Sequence, residues 1–373
     1  MIAIFELEFT KWQHIECNAG MIKLLSKATD EKIVLFCTES HFQALKSEGI
    51  PEDINYHMIN IYPFSECQNY NHVNYYSEII NNSLKIYDNI SMVVFLSSEY
   101  VLLKSILQAD SISRGMKTLC VLHANLDRIL FPKQEIDFFS QKDFIEACKR
   151  PNIRFISFSP CAKKIITEIL GVECCNKFFF LHIPISVTTR LKKKNEKIVI
   201  GVYGLAVNDN LSRFLHEYEK FQWNRLIIRI YRRASVDNLD YRAWRIPKKG
   251  IEYHEKIDGF EKEDLNEYRK EMDYILLPYS QEKYIASMSG ILADAIGSKI
   301  PVLCLDSNAT SWYSKYNIGM CAQNVKQLCE LVYREVELEN NGNYQQYVDN
   351  MTLLQQLMIN ENLKFLRNFL TWE

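Results

Sequence analysis

A chain of 373 residues that is 47% hydrophobic has room for two cores, because single cores stop growing near roughly 250–300 residues. Its net charge of -2 and pI near 6.5 exclude the strongly basic profile of a nucleic-acid binder. No uncharged apolar run reaches the roughly 18–20 residues that span a bilayer. Eleven cysteines, an odd number without a CxxC pair, follow an N-terminus with no signal-peptide pattern, so we expect reduced thiols in the cytoplasm.

In chain order, Ile2 to Leu7 reads as a strand, followed by a loop through Trp12 and a helix from about His14 to Leu25. Ile33 to Cys37 is the second strand, and Ile59 to Pro63, Met92 to Leu96, Leu119 to His123 and Phe155 to Phe158 are further short apolar runs. Helical patterns separate them at Tyr75 to Tyr87, Tyr100 to Arg114 and Phe138 to Arg150. Such alternation implies a mostly parallel, doubly wound sheet. An amphipathic helix from Pro160 is closed by Gly171, and Phe178 to Ile185 runs into a Lys-rich linker at residues 186–197.

The pattern then restarts. Ile198 to Tyr203 is a strand, Asn210 to Lys220 a helix, Arg225 to Tyr231 a strand, Ile251 to Tyr253 a short strand and Lys262 to Met272 a helix. Tyr274 to Leu277 is a buried strand ended by Pro278, and Ile300 to Leu305 is another beyond a helix that stops near Gly297. Tyr344 to Leu370 is a terminal helix. The fold class is therefore α/β, with residues 1–185 as one Rossmann-like domain and 198–355 as a second.

The chemistry concentrates between Pro278 and Val302. Ser287, Ser289 and Gly290 are small residues at a helix start, where free N–H groups and the helix dipole suit a diphosphate. Asp294, one turn on, suits ribose hydroxyls; the alternative is a plain Ser/Gly cap with a solvated Asp294. Gly201 and Gly204 allow close backbone approach to a ligand or simply a tight turn. From Arg190 to Lys249 there are fifteen Lys or Arg against six Asp or Glu, an excess that suits a diphosphate, an anionic membrane surface or a solvated face. Zinc-type spacings and Asp-X-Asp are absent, so no metal is expected.

The stretch with Pro278, Tyr279, Ser289, Gly290, Asp294, Ala295, Pro301 and Val302 resembles the donor region of GT-B-fold glycosyltransferases, the retaining family 4 type above all. That resemblance implies two Rossmann-like domains facing a cleft, residues 356–373 packing back on the first, and no cofactor beyond a nucleotide-diphosphate sugar as donor substrate. It implies transfer to a glycan or lipid-linked saccharide acceptor in bacterial surface polysaccharide or glycoconjugate assembly, with peripheral membrane contact as one setting. Asp294 takes the place of the second Glu of the family motif, Ala286 that of the first, and Glu282 is a candidate substitute for it.

By the same resemblance, Gly204, Arg229, Arg232, His254, Lys256, Pro278, Tyr279, Tyr284, Ser287, Ser289, Gly290 and Asp294 are donor-side candidates, with Ile257 beside the base-binding loop. His123, at a strand's carboxyl end, is the first candidate for a functional histidine, with a structural role as its alternative. Glu8, His14 and Glu16 compete as acceptor-side base, and His14 shares a helix face with Asn18. A nucleotide-sugar epimerase of the same layout, or a degenerate binder that has lost the first Glu, are the rival readings.

Overall fold

The computed structural model describes residues 1–11, 13–63, 69–123, 126–187, 196–233, 249–256, 260, 262–339 and 341–370, with Arg233 described by its backbone only. Trp12, Ile257 and most of the Lys-rich linker lie outside the described residues. The chain divides into two compact units. Unit 1 comprises Met1–Pro184, Tyr284–Met288 and Met358–Glu373; unit 2 comprises Ile185–Lys283 and Ser289–Leu357.

Unit 1 is built on strands β1 (Ile2–Phe5), β2 (Ile33–Cys37), β3 (Asn55–Met58), β4 (Met92–Phe95), β5 (Lys117–Leu122), β6 (Ile153–Ser157) and β7 (Phe178–Phe180). They pair in parallel in the order β3-β2-β1-β4-β5-β6-β7. β1, β2 and β4 are buried along their whole length, as parallel strands covered on both faces must be, and this is why they read as unbroken apolar runs. The main connecting helices are α1 (Ile15–Ala28), α2 (Glu39–Ser47), α3 (Val73–Leu84), α4 (Tyr100–Gln108), α5 (Glu135–Lys149) and α6 (Ala162–Leu170). Phe5 stacks between Phe36 and Phe95 at 4.6 and 5.3 Å, joining the three central strands by their rings.

Unit 2 carries β8 (Ile198–Tyr203), β9 (Leu226–Arg233), β10 (Ile251–Lys256), β11 (Tyr274–Leu277), β12 (Val302–Leu305) and β13 (Gly319–Ala322), in the order β10-β9-β8-β11-β12-β13. Its main helices are α7 (Asp209–Tyr218), α8 (Lys262–Glu271), α9 (Gly290–Gly297), α10 (Val325–Val332) and the first half of α11 (Tyr344–Leu370). Asparagines set two helix starts: Asn208 accepts from the N–H groups of Asn210 and Leu211, and Asn324 from that of Gln327. In both sheets the order reverses once, between β1 and β4 and between β8 and β11. A ligand crevice of a doubly wound sheet opens at that reversal, beyond the carboxyl ends of the strands.

Two expectations are corrected, and one strand was not foreseen. The third strand is Asn55–Met58, before Ile59–Pro63: it is an edge strand paired only with β2, half-exposed, and its sequence NYHM lacks the apolar signature of a central strand. The helix expected over Tyr100 to Arg114 breaks at Ala109, whose extended backbone (ψ 127°) separates α4 from the short turn Asp110–Ser113. β13, the opposite edge of the second sheet, has the small-residue sequence GMCA and pairs only with β12.

The first glycine of the β8 turn has a packing role. A Cβ on Gly201 would stand 2.2 Å from the Met272 sulfur, whereas Gly204 is held at φ +57°. Replacing Gly201 by Ala forces the Met272 side chain to shift and is expected to destabilise the protein by about 1–3 kcal/mol, read as a lower denaturation midpoint with an unchanged m-value.

Candidate functional site

The order reversal of unit 2 is framed by the loops after β8 and β11. Asn210 Nδ2 donates to the Pro278 carbonyl at 3.1 Å and ties the two loops together. Tyr279 is fully buried, and its hydroxyl is 2.8 Å from Ser289 Oγ. Ser289 in turn accepts from the Leu292 N–H and caps α9. The expected helix start is thus built by a tyrosine–serine pair, with Tyr279 acting from below. The N–H groups of Gly290 and Ile291 open the helix and have no partner within it. A Cβ on Gly290 would meet nothing within 4 Å, so the approach to these donors is open.

Beside this helix start lies a cavity of about 740 Å³ at the carboxyl ends of β11, β12 and β13, lined by Asn210, Arg213, His216, Tyr279, Gln281 and Asp306 among others. Arg213 is exposed, and among the described residues it forms no ion pair. Sequence reading passed over it. Its signal was a cation one turn into the helix that follows the glycine turn of β8.

The other donor-side cations are already engaged. Arg229 lies mid-strand, in register with Gly201 and Glu252, and its guanidinium meets Glu252 and Glu271, each at 2.6 Å. Arg232 donates to Glu255 at 2.6 Å and covers the Tyr253 ring. Lys256 pairs with Asp264 at 2.5 Å. His254 is half-buried beside Tyr231, and burial, then Arg229, lower its pKa. All four sit on β9 or β10, outward of β8, and none joins the group at the reversal. Asp294 binds Arg269 of α8 at 2.7 Å, so the carboxylate that suits a ribose also neutralises a buried guanidinium.

The loop at 284–288 belongs to unit 1. It begins at Tyr284 in a left-handed conformation (φ 53°). Asp127, just past β5, accepts from the Ala286 N–H at 2.5 Å and from the Ser287 hydroxyl at 2.7 Å. The anion held by this stretch is therefore an internal carboxylate. Burial raises the Asp127 pKa, against the opposing effects of Ser287 and the Ala286 and Ile285 amides. Ala286 is fully buried in the apolar cluster of unit 1.

The reversal of unit 1 is organised by Glu6, directly after β1. Its carboxylate accepts from the N–H groups of Glu8 and Phe9 at 2.9 and 3.0 Å, from Asn18 Nδ2 at 2.7 Å and from Ser97 Oγ at 3.0 Å. Asn18 also donates to His41 Nε2 at 3.2 Å, which leaves His41 Nδ1–H to donate to the Lys11 carbonyl at 2.9 Å. Lys11, His14 and Tyr100, all around this end of the sheet, adopt φ of 53°, 51° and 47°. A left-handed backbone costs roughly 1–2 kcal/mol per ordinary residue and persists where surrounding contacts impose it.

That backbone brings two of the nominated histidines together. His14 stacks on Phe9 at 4.0 Å and meets His123 edge-on at 4.7 Å. His123 is buried and donates from Nε2 to the Leu96 carbonyl at 2.8 Å, so Nδ1 carries its lone pair. Burial lowers the pKa of His123, and the protein packed around His14, followed by His123 and His41, lowers that of His14, although His14 keeps exposed surface. Glu16 sits in the first turn of α1, where its charge complements the helix dipole. Among the described residues no cluster of three or more His, Cys, Asp or Glu is arranged to hold a metal ion, and no helix is long and apolar enough to cross a membrane.

Two substitutions probe these contacts. Asp127→Ala strands the amides of the 284–288 loop and is expected to cost about 1–3 kcal/mol, with faster hydrogen exchange at residues 285–287. Asp294→Ala leaves Arg269 without this carboxylate and is expected to cost on the order of 2–3 kcal/mol in chemical denaturation, below the value for a fully buried pair because Asp294 is partly solvated.

No protein-family model matches the sequence, and no curated protein does. Solved structures do. The glycosyltransferase of Rickettsia africae ESF-5 is similar at 11% identity with a TM-score of 0.66, over 100% of this chain and 99% of that one. Anabaena Alr3699/HepE in complex with UDP aligns over 100% of both chains at 11% identity with a TM-score of 0.68. The apo lipopolysaccharide outer core galactosyltransferase WaaB aligns over 98% of both at 12% identity with a TM-score of 0.59. With two parallel sheets of this order and this likeness over its whole length, the chain has the α/β fold of the GT-B glycosyltransferases, two Rossmann-like domains.

Proposed function

We propose that the protein is a glycosyltransferase that moves a sugar from a nucleoside-diphosphate donor to a hydroxyl of a glycan or lipid-linked saccharide. The observation that carries this reading is the start of α9 at the order reversal of unit 2. There, open N–H groups, a helix dipole and an unobstructed Gly290 face the carboxyl ends of the strands. Such an end binds a diphosphate and stabilises the charge that develops as the glycosidic bond to it breaks. Arg213, on the helix after β8, is the cation best placed to share that charge. The fold's likeness to HepE, solved with UDP and with UDP-glucose, supports a nucleotide sugar as the donor.

Unit 1 supplies the acceptor side in this reading. His123 presents Nδ1 as an acceptor beside His14, both neutral at physiological pH, which suits sugar hydroxyls better than anions. Assembly of a bacterial surface polysaccharide is the setting we favour, on the same likeness to WaaB.

The reading is tested by calorimetric titration of UDP, GDP, ADP and CMP into the wild-type protein and a Gly290→Asp variant. The substitution enters open space and suits a helix N-terminus, so the melting temperature is expected to hold. Its carboxylate faces the diphosphate, so affinity for the one nucleotide that binds is expected to fall by roughly tenfold or more, equivalent to about 1.4 kcal/mol. Binding unchanged by Gly290→Asp would remove α9 from the donor site, and no binding of any nucleotide would remove the transferase reading.

A further inference from the structure

Two cysteines face one another at the edge of the second sheet. Cys304 of β12 is in register with Cys321 of β13, and among the described strands no other cysteine stands opposite a cysteine. Residues in register on neighbouring parallel strands send their side chains to the same face of the sheet. Such strands lie roughly 4.7–4.9 Å apart, inside the roughly 4.4–6.8 Å that separates the Cα atoms of disulfide-bonded cysteines. Both thiols are free. The pair therefore has the backbone placement of a disulfide without the bond.

The two thiols are not equivalent. Cys304 is buried, whereas Cys321 is half-buried on a strand that has a neighbour on one side only. The Cys304 thiol donates a hydrogen bond to Cys321, which lowers the Cys321 pKa and raises that of Cys304; burial and the Asp306 carboxylate act against the lowering. The more accessible sulfur thus gains thiolate character and has a second thiol at its side. These are the two requirements of a cysteine that reacts with an oxidant and is then resolved. A cysteine that serves packing alone meets neither: Cys120 lies in register with Phe95 and Phe155, and burial pushes its thiol up to about 12.

The pair also lies directly before the cavity of unit 2. Leu305 and Asp306 follow Cys304, Gln323 and Asn324 lie just beyond Cys321, and all four line that cavity. Gln323 donates to the Asp306 carboxylate at 2.9 Å, so the two strand ends already hold one another.

We propose that Cys304 and Cys321 form a peroxide-sensitive dithiol, in which Cys321 reacts with a hydroperoxide and Cys304 closes a disulfide between β12 and β13. With hydrogen peroxide as oxidant, the Cys321 thiolate attacks one oxygen and the O–O bond breaks. The departing hydroxide takes a proton and leaves as water, and Cys321 becomes a sulfenic acid. The Cys304 sulfur then attacks that of Cys321: the S–S bond forms, the S–O bond breaks, and the hydroxyl leaves with the thiol proton as a second water. Two thiols and one peroxide give one disulfide and two waters. The inference does not depend on the transferase reading.

The test uses the full chain. Folded wild-type protein is treated with hydrogen peroxide, then unfolded in N-ethylmaleimide and digested with trypsin without reduction. Cys304 falls in peptide 300–315 and Cys321 in peptide 316–326, so their disulfide is read as one linked mass. That species is expected to form, to disappear with dithiothreitol, and to form in lower yield when the peroxide meets protein already unfolded in guanidinium. No linked species from the folded protein, or an equal yield from the unfolded chain, overturns the proposal. The order of reaction is read with dimedone, which labels sulfenic acids. Cys304→Ser is expected to trap a dimedone adduct on Cys321, whereas Cys321→Ser leaves Cys304 unlabelled. Equal labelling of the remaining cysteine in the two variants overturns the assignment of Cys321 as the reacting sulfur.

Discussion

One carboxylate organises the amino-terminal unit. Glu6 leaves β1 buried and accepts four hydrogen bonds, two from the turn that follows, one from α1 and one from the turn after β4. A buried carboxylate so well supplied is stable, and each donor is held in place by it. Through Asn18 and His41 the same network reaches the Lys11 carbonyl and holds a left-handed backbone. The stacking of His14 on Phe9 and its meeting with His123 follow from that turn. Glu8 lies buried on this turn, and among the described residues its side-chain oxygens meet no hydrogen-bond partner.

The carboxyl-terminal unit reaches a similar end with fewer charges. Tyr279 and Ser289 fix where α9 begins, and Asn210 joins the two loops that flank it. The charges are spent further out on the sheet, where Arg229, Arg232 and Lys256 each face a carboxylate from a neighbouring strand or helix. A guanidinium between two carboxylates is a fixed structural group and has little field left for a ligand. Arg213, unpaired among the described residues and beside the cavity, has more.

What could be read in advance follows the physics of burial. β1, β2, β4 and β11 are covered on both faces, so their runs of Ile, Val, Leu and Phe announce them. β3 and β13 are edges, half-solvated or built of small residues, and announce nothing. The Gly290 helix start was legible because a cap is local, lying within four residues. The pairings that define the rest of the site are not local. Arg229 meets Glu271 across 42 residues, and Asp127 meets Ser287 across 160. The approach of His14 to His123 depends on a φ of 51°, a backbone that histidine adopts more readily than most residues but still only in a minority of cases.

The contact between Asp127 and the 284–288 loop also limits what position 286 can carry. Position 286 is an alanine with no exposed surface in an apolar cluster, its N–H committed to Asp127. A glutamate placed there would need space that the cluster does not have and would set a second carboxylate beside the first. A carboxylate at position 286 therefore requires Asp127 and the packing around it to change together.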